Sequence, residues 1–268
     1  MQLAHSVVTS ETLRPFMLPP ISVVIPAFNE AVRIGDTLAT TIAYLEKESL
    51  GSELIVINDG STDSTGEVIR EVAAMPSAVA IRLLENFPNR GKGAAVRTGL
   101  LSATKPIAVF FDADLSTPID ELPKIVEPIA RGEVDIAFGS RALNRKLIGN
   151  RQPWRREQGG RVFNLLVRVA TGLPFWDTQC GFKAFRMEAC RQIIEAAKII
   201  GFGFDVELLL LAQRAGLRLR EIPVRWNHHE GSKVRFVHDS IRMLREVLSL
   251  RANNSVIPNE REDPTVVK

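Results

Sequence analysis

Five near-continuous apolar runs dominate the first half of the chain, at Ile21 to Ile25, Leu54 to Ile57, Val79 to Leu84, Ile107 to Phe111 and Val134 to Phe138. Runs of this length without in-out alternation read as strands covered on both faces, as in parallel sheets. Helix-like segments separate them. One is expected from about Glu30 to Lys47, another from Ser64 to Ala74 behind the cap-rich turn Gly60-Ser61-Thr62-Asp63. Strand, helix, strand in repetition predicts a doubly wound α/β unit, whose ligands belong in the crevice beyond the carboxyl ends of the strands.

After Ser140 the rhythm breaks. An arginine-rich loop is followed by an expected helix at Glu157 to Thr171, a short strand at Gly181 to Arg186, a helix near Asp205 to Ala215 and a strand within Leu217 to Val224. A last helix, His238 to Leu250, carries Ile241, Leu244 and Leu248 on one stripe beside Arg242 and Arg245. A chain of 268 residues suits one core. We therefore expect a single domain over 21–251, with a loose arm at 1–20 ending in Pro19-Pro20 and a disordered tail at 252–268. Residues 21–140 form its nucleotide-binding half and 141–251 its acceptor-binding half.

Net charge is only +3, which gives no footprint for nucleic acid. Location matters more than the sum. Between Arg141 and Arg168 eight basic side chains, Arg156 among them, face Glu157 alone, so this segment should meet something anionic. Leu147, Ile148, Trp154, Phe163, Leu165 and Leu166 interleave with these arginines, which suits an anionic membrane boundary. No apolar run is long enough to span a bilayer, so that contact is expected to be peripheral. Cys180 and Cys190 are the only cysteines and form no zinc or disulfide pattern, which fits a reducing, cytoplasmic setting.

Chemistry concentrates at Phe110-Phe111-Asp112-Ala113-Asp114, a strand ending in two carboxylates two residues apart. On extended backbone both point the same way and can hold one hard divalent ion, Mg²⁺ or Mn²⁺, completed by water and phosphate oxygens. Alone, such a pair also describes a solvated strand end. Other strand ends add context. Asp59, in Asn58-Asp59-Gly60-Ser61, faces the same crevice and can grip a base or ribose. Asn29 and Glu30 are either helix-start residues or nucleotide contacts. Gly91-Lys92-Gly93 opens a helix where backbone N–H groups and Lys92 can approach a phosphate. It is no Walker A loop, and no GxGxxG follows the first strand. His228 and His229, adjacent in an extended segment, point apart and do not make a metal site. Cys180 reads as a small packed residue, and Trp226 either lines a cleft or packs.

Taken in order, Val24-Ile25-Pro26-Ala27-Phe28-Asn29-Glu30, Asn58-Asp59-Gly60-Ser61, Gly91-Lys92-Gly93, Asp112-Ala113-Asp114 and Gly139-Ser140-Arg141 resemble the inverting glycosyltransferases of family 2. Asp177-Thr178-Gln179-Cys180-Gly181-Phe182-Lys183, Phe204-Asp205-Val206-Glu207-Leu208 and Glu230-Gly231-Ser232-Lys233 look more narrowly like dolichyl-phosphate glucosyltransferases and their prokaryotic relatives. The resemblance implies a GT-A fold, a mostly parallel mixed sheet flanked by helices. It also implies a UDP-sugar donor with glucose as the sugar, Mg²⁺ or Mn²⁺ as cofactor, and a polyprenyl phosphate acceptor.

By the same resemblance Pro26, Ala27, Glu30 and Asp59 hold the nucleotide and Asp112 and Asp114 the metal, and Asn29, Lys92 and Ala113 are expected beside them at the donor. The resemblance also implies that Arg141 meets a phosphate and that Asp177 and Lys233 lie near the transfer site; Arg156, Gln179 and Trp226 are the further residues expected to face the acceptor. Two departures stand out: relatives often carry Asp at the position of Asn58, and mannose-transferring relatives Gln at that of Ser116. Open alternatives are a GDP-mannose or UDP-GlcNAc donor, a saccharide acceptor served by Asp177 or Glu207 as base, and a non-catalytic sugar-nucleotide-binding protein.

Overall fold

The computed structural model describes residues 16–150, 154–228, 242–243 and 245–249, with only the backbone of 154–157. Strands β1 (Ile21–Ala27), β2 (Glu53–Asp59), β3 (Ala80–Asn86), β4 (Ile107–Phe111), β5 (Ile136–Ser140), β6 (Phe182–Arg186) and β7 (Leu219–Pro223) form one sheet. Their order is β3-β2-β1-β4-β6-β5-β7. β6 runs antiparallel to β4 and β5, and every other pairing is parallel. This is the expected mixed α/β sheet of a single domain. The chain winds outward from β1 through β2 to β3, then returns to place β4 on the other side of β1. The crevice at that switch point, beyond Ala27 and Phe111, is where a doubly wound sheet takes its ligand.

Successive side chains on β1 enter opposite layers. Val24 packs with Ile57, Phe110, Phe138 and Phe185 beneath α3 (Lys92–Leu101), α5 (Trp154–Thr171), α6 (Met187–Ala196) and α7 (Phe204–Arg214). Val23 and Ile25 pack on the other side with α1 (Ile34–Glu48), α2 (Thr65–Ala73) and α4 (Leu122–Ala130). Each such fully buried side chain contributes about 1.5–3 kcal/mol, so both faces of the central strands hold the sheet in place. That double coverage is what their unbroken apolar runs anticipate.

Three expectations need correction. β3 is not a buried strand: it pairs only with β2 at the sheet edge, and its side chains are exposed or half-buried. α1 begins at Ile34 rather than Glu30, because Glu30 to Arg33 form a turn whose Glu30 N–H donates to Thr65 Oγ1 at 2.7 Å. Phe163 does not face outward with Leu165 and Leu166, since it is buried in the core with Val167. Residues 242–243 and 245–249 are helical as expected. The arm at 1–15, the tail at 252–268, Lys233, His229, Ile241, Leu244 and the Arg156 side chain lie outside the described residues.

Candidate active site

A cleft of about 640 Å³ opens at the switch point. Pro26 and Ala27 from the end of β1, Asp59 from β2, and Asp112, Ala113 and Asp114 after β4 all line it, together with Glu30 and Lys92. The strand-end residues singled out in the sequence therefore converge, even though the chain separates them widely.

Asp112 and Asp114 share this wall for a different reason than strand alternation. β4 stops at Phe111, and Leu115 N–H donates to Asp112 O at 3.2 Å, closing a turn in which Leu115 takes a left-handed φ of 46°. The turn, not the strand, brings the second carboxylate round. Asp114 Oδ1 accepts from Ser116 N–H at 2.9 Å. Gly181 provides the room for Asp112: its backbone carbonyl accepts from Asp112 N–H at 3.2 Å, and a Cβ at Gly181 would overlap the Asp112 carboxylate.

Lys92 Nζ lies 2.6 Å from Asp112 Oδ1. Burial acts to lower the Lys92 pKa, but the carboxylates of Asp112, Asp205 and Asp114 outweigh it and raise it above its ordinary value. The ammonium is thus held charged at the floor of the cleft. Behind it, Lys183 is fully buried, 2.6 Å from Asp205 Oδ1 and donating to Cys180 O at 2.5 Å. Burial pushes the Asp205 carboxyl up against the pull of Lys183 and Lys92.

Two hard carboxylates suit Mg²⁺ or Mn²⁺ when phosphate and water fill the remaining positions. The cradle that Gly181 leaves for Asp112 fits that use. Among the described residues no cluster of three or more His, Cys, Asp or Glu could hold an ion by itself.

Asp59 is more engaged than its sequence position implies. Asn86 Nδ2 donates to its Oδ1 at 2.8 Å and Asn89 Nδ2 to its Oδ2 at 2.9 Å; Arg90 and Gly91 donate through their N–H groups at 3.1 and 2.8 Å. The carboxylate ties down the loop that delivers Lys92. Gly91 can follow because it takes φ 99°, and a Cβ there would strike Ile200 O. Asn29 serves a similar end: its Oδ1 accepts from Thr62 N–H at 2.7 Å, joining the β1 and β2 loops. Glu30 lines the cleft and pairs with Arg33 at 2.7 Å.

Arg141 and Asp177 form a clamp beside this cleft. Arg141 Nε donates to Asp177 Oδ2 at 2.7 Å, Nη2 to Oδ1 at 2.8 Å and its backbone N–H to Oδ2 at 2.9 Å. Burial raises the Asp177 pKa, but the guanidinium outweighs it and holds the carboxyl below its ordinary range. The Arg141 Cζ sits 5.7 Å from the Trp226 ring, which stacks in turn on His228 at 6.0 Å. Gln179 Nε2 donates to Met243 Sδ rather than facing the cleft. Glu207 is buried and accepts from Lys198 and Ile199 N–H at 2.9 and 2.7 Å. Cys180 is packed, its thiol pushed up to about 12 by burial.

Other residues complete the cleft without a local signal in the sequence. Ile200, Gly201 and Phe202 come from the loop before α7, and Arg242, Met243 and Glu246 from the last helical segment. Arg33 and Phe28 were within reach of sequence reasoning, as neighbours of Glu30 and Asn29. Among the described residues no helix is long and apolar enough to cross a membrane.

Residues 22–194 match the sequence model of Glycosyl transferase family 2. The dolichyl-phosphate beta-glucosyltransferase of Drosophila melanogaster is 38% identical over 227 residues, covering 80% of this chain and 69% of that one. The Saccharomyces cerevisiae protein of the same name is 34% identical over 250 residues, with 86% and 74% covered. The fold also matches glucosyl-3-phosphoglycerate synthase from Mycobacterium tuberculosis, solved with phosphoglyceric acid: TM-score 0.64 at 25% identity, over 86% of this chain and 79% of that one. A family match that runs from β1 into α6 and takes in both Asp112 and Asp114 makes this chain a member of glycosyl transferase family 2, and so a glycosyltransferase.

Proposed function

We propose that the enzyme moves glucose from UDP-glucose onto a polyprenyl phosphate of the dolichyl type, with inversion at the anomeric carbon. The observation that carries this is the meeting of Asp112, Asp114 and Lys92 in one cleft at the sheet's switch point. The acceptor class is supported by relatives above 30% identity named for dolichyl phosphate and a beta-glucosyl product.

In this reading Pro26, Ala27 and Glu30 form the wall for the nucleotide, while Asn29 and Asp59 shape the loops around it. Asp112 and Asp114 would hold a divalent cation, which would supply positive charge beside the departing diphosphate. Lys92 supplies a second, fixed positive charge from the protein, in a site where water is partly excluded. Arg141, fixed by Asp177 through Nε and Nη2, offers its remaining guanidinium N–H groups to the acceptor phosphate.

That phosphate, a monoester with a second pKa near 6, is already mostly dianionic at neutral pH and needs no strong base. Asp177 is committed to Arg141 and Glu207 to backbone N–H groups, so neither is placed to deprotonate a sugar hydroxyl. This favours the phosphate acceptor over a saccharide. The lipid acceptor places the reaction at a membrane. The two buried free thiols fit its cytoplasmic face, a reducing setting.

The test is a donor panel of UDP-glucose, GDP-mannose and UDP-GlcNAc with Mn²⁺ or Mg²⁺ and a short-chain polyprenyl phosphate or a saccharide. The expected result is glucosyl phospholipid and UDP from the first donor only. Donor binding without turnover, or transfer only to the saccharide, contradicts the proposal.

A further inference from the structure

α5 carries two apolar stripes, and only one has a partner. Phe163, Val167 and Ala170, at i, i+4 and i+7, pack into the core. Val162, Leu165, Leu166 and Val169, at i, i+3, i+4 and i+7, are exposed by 58, 57, 45 and 74%. A surface helix ordinarily turns polar residues outward, so an exposed stripe at helical spacing marks a docking surface. Trp176, 56% exposed, lies beyond the helix end, with Arg168 Cζ 4.0 Å from its ring centroid. Arg161 is exposed one heptad before Arg168, and both fall on the same flank of the stripe. Arg145 and Lys146 are exposed in the loop leading to the helix.

We propose that this face is a peripheral docking surface for a bilayer containing anionic phospholipid. The apolar stripe enters the headgroup boundary and the flanking arginines meet lipid phosphates, the arrangement of an interfacial amphipathic helix. Charge favours lipid over a second copy of the chain as occupant. An antiparallel two-fold contact through the stripe would set one cationic flank against another, whereas an anionic surface complements that flank in any orientation. The surface also adjoins the site, because Trp176 directly precedes Asp177, the clamp on Arg141. The inference rests on the lipid acceptor proposed above for its purpose, though not for its geometry.

The test is co-sedimentation of the full chain with vesicles of phosphatidylcholine, alone or mixed with phosphatidylglycerol, at low salt. Two double variants are compared with it, Leu165→Asp/Val169→Asp and Arg161→Glu/Arg168→Glu. Expected is binding to the mixed vesicles that each double variant weakens by roughly tenfold or more. Both variants should unfold cooperatively as the parent does and retain transfer to a detergent-dispersed short-chain polyprenyl phosphate. No binding by the parent, binding unaffected by either double variant, or a change only in oligomeric state overturns the docking surface. Failures of the two proposals separate cleanly: vesicle binding without transfer in detergent refutes the acceptor assignment, and transfer in detergent without vesicle binding refutes this one.

Discussion

Asp112 can approach the cleft floor only because the residue across from it has no side chain. Gly181→Ala should therefore displace the Asp112 carboxylate with little effect on β6, which begins at the next residue. The expected outcome is weaker Mn²⁺ binding in the presence of UDP, by tenfold or more, or about 1.4 kcal/mol, with a melting temperature close to that of the parent. Calorimetric titration beside thermal unfolding checks both. The Asp112-Ala113-Asp114 pair was legible because acidic residues after an apolar strand are a local pattern. Gly181 as its cradle was not, since that contact joins segments far apart in the chain. Likewise the sequence places Arg141 and Asp177 among site candidates without revealing that each is the other's hydrogen-bond partner.

At the scale of elements, the strand ends do the positioning. Asp59 at the end of β2 gathers two side-chain amides and two backbone N–H groups, fixing the loop from Asn86 to Gly91 ahead of α3. Asp59→Ala leaves those donors without their acceptor, which should cost about 1–3 kcal/mol by urea unfolding. It should also raise the KM for the sugar nucleotide more than it lowers kcat for bound donor, because the loop carrying Lys92 loosens.

The strand rhythm itself could be read from the apolar runs, as both faces of the inner strands are covered. What that rule misread was β3, where Arg82 interrupts the apolar run and the place at the sheet edge is set by topology. α4 and α6 were not placed. α4 carries Pro123 and Pro128, which blur a helical pattern, and α6 follows β6 with no break between them. The turn that aims Asp114, with its left-handed Leu115, has no signature a single sequence displays.

Across the molecule, the half of the sheet beyond β4 is tied together by one buried carboxylate. Asp135, just before β5, accepts from Arg186 Nε at 3.0 Å at the end of β6, and from Arg218 N–H and Nη2 at 2.9 and 3.0 Å just before β7. Burial acts to raise its pKa, but hydrogen bonds from Arg218 and Arg186 outweigh it and hold the carboxyl well below its ordinary range. A group whose folded pKa is depressed contributes stability that is present above its unfolded pKa, about 3.9, and is lost as pH falls through the folded value. The difference in unfolding free energy between the parent and Asp135→Asn should thus be largest near neutrality, at about 1–3 kcal/mol, because the arginines left behind remain in contact with water. It should shrink steadily below about pH 4. Denaturant unfolding across that range checks the sign.

Transfer should depend above all on the two carboxylates at the cleft, Asp112 and Asp114, acting together on a divalent ion. Measure glucose transfer from UDP-glucose to a short polyprenyl phosphate as Mn²⁺ is titrated, for the parent, Asp112→Asn and Asp114→Asn. The prediction is a metal-dependent parent rate that falls by about 100-fold or more in each variant, roughly the loss of one preorganised electrostatic contact to the transition state. Full turnover by either variant, or a parent rate unchanged by excess chelator, would contradict it.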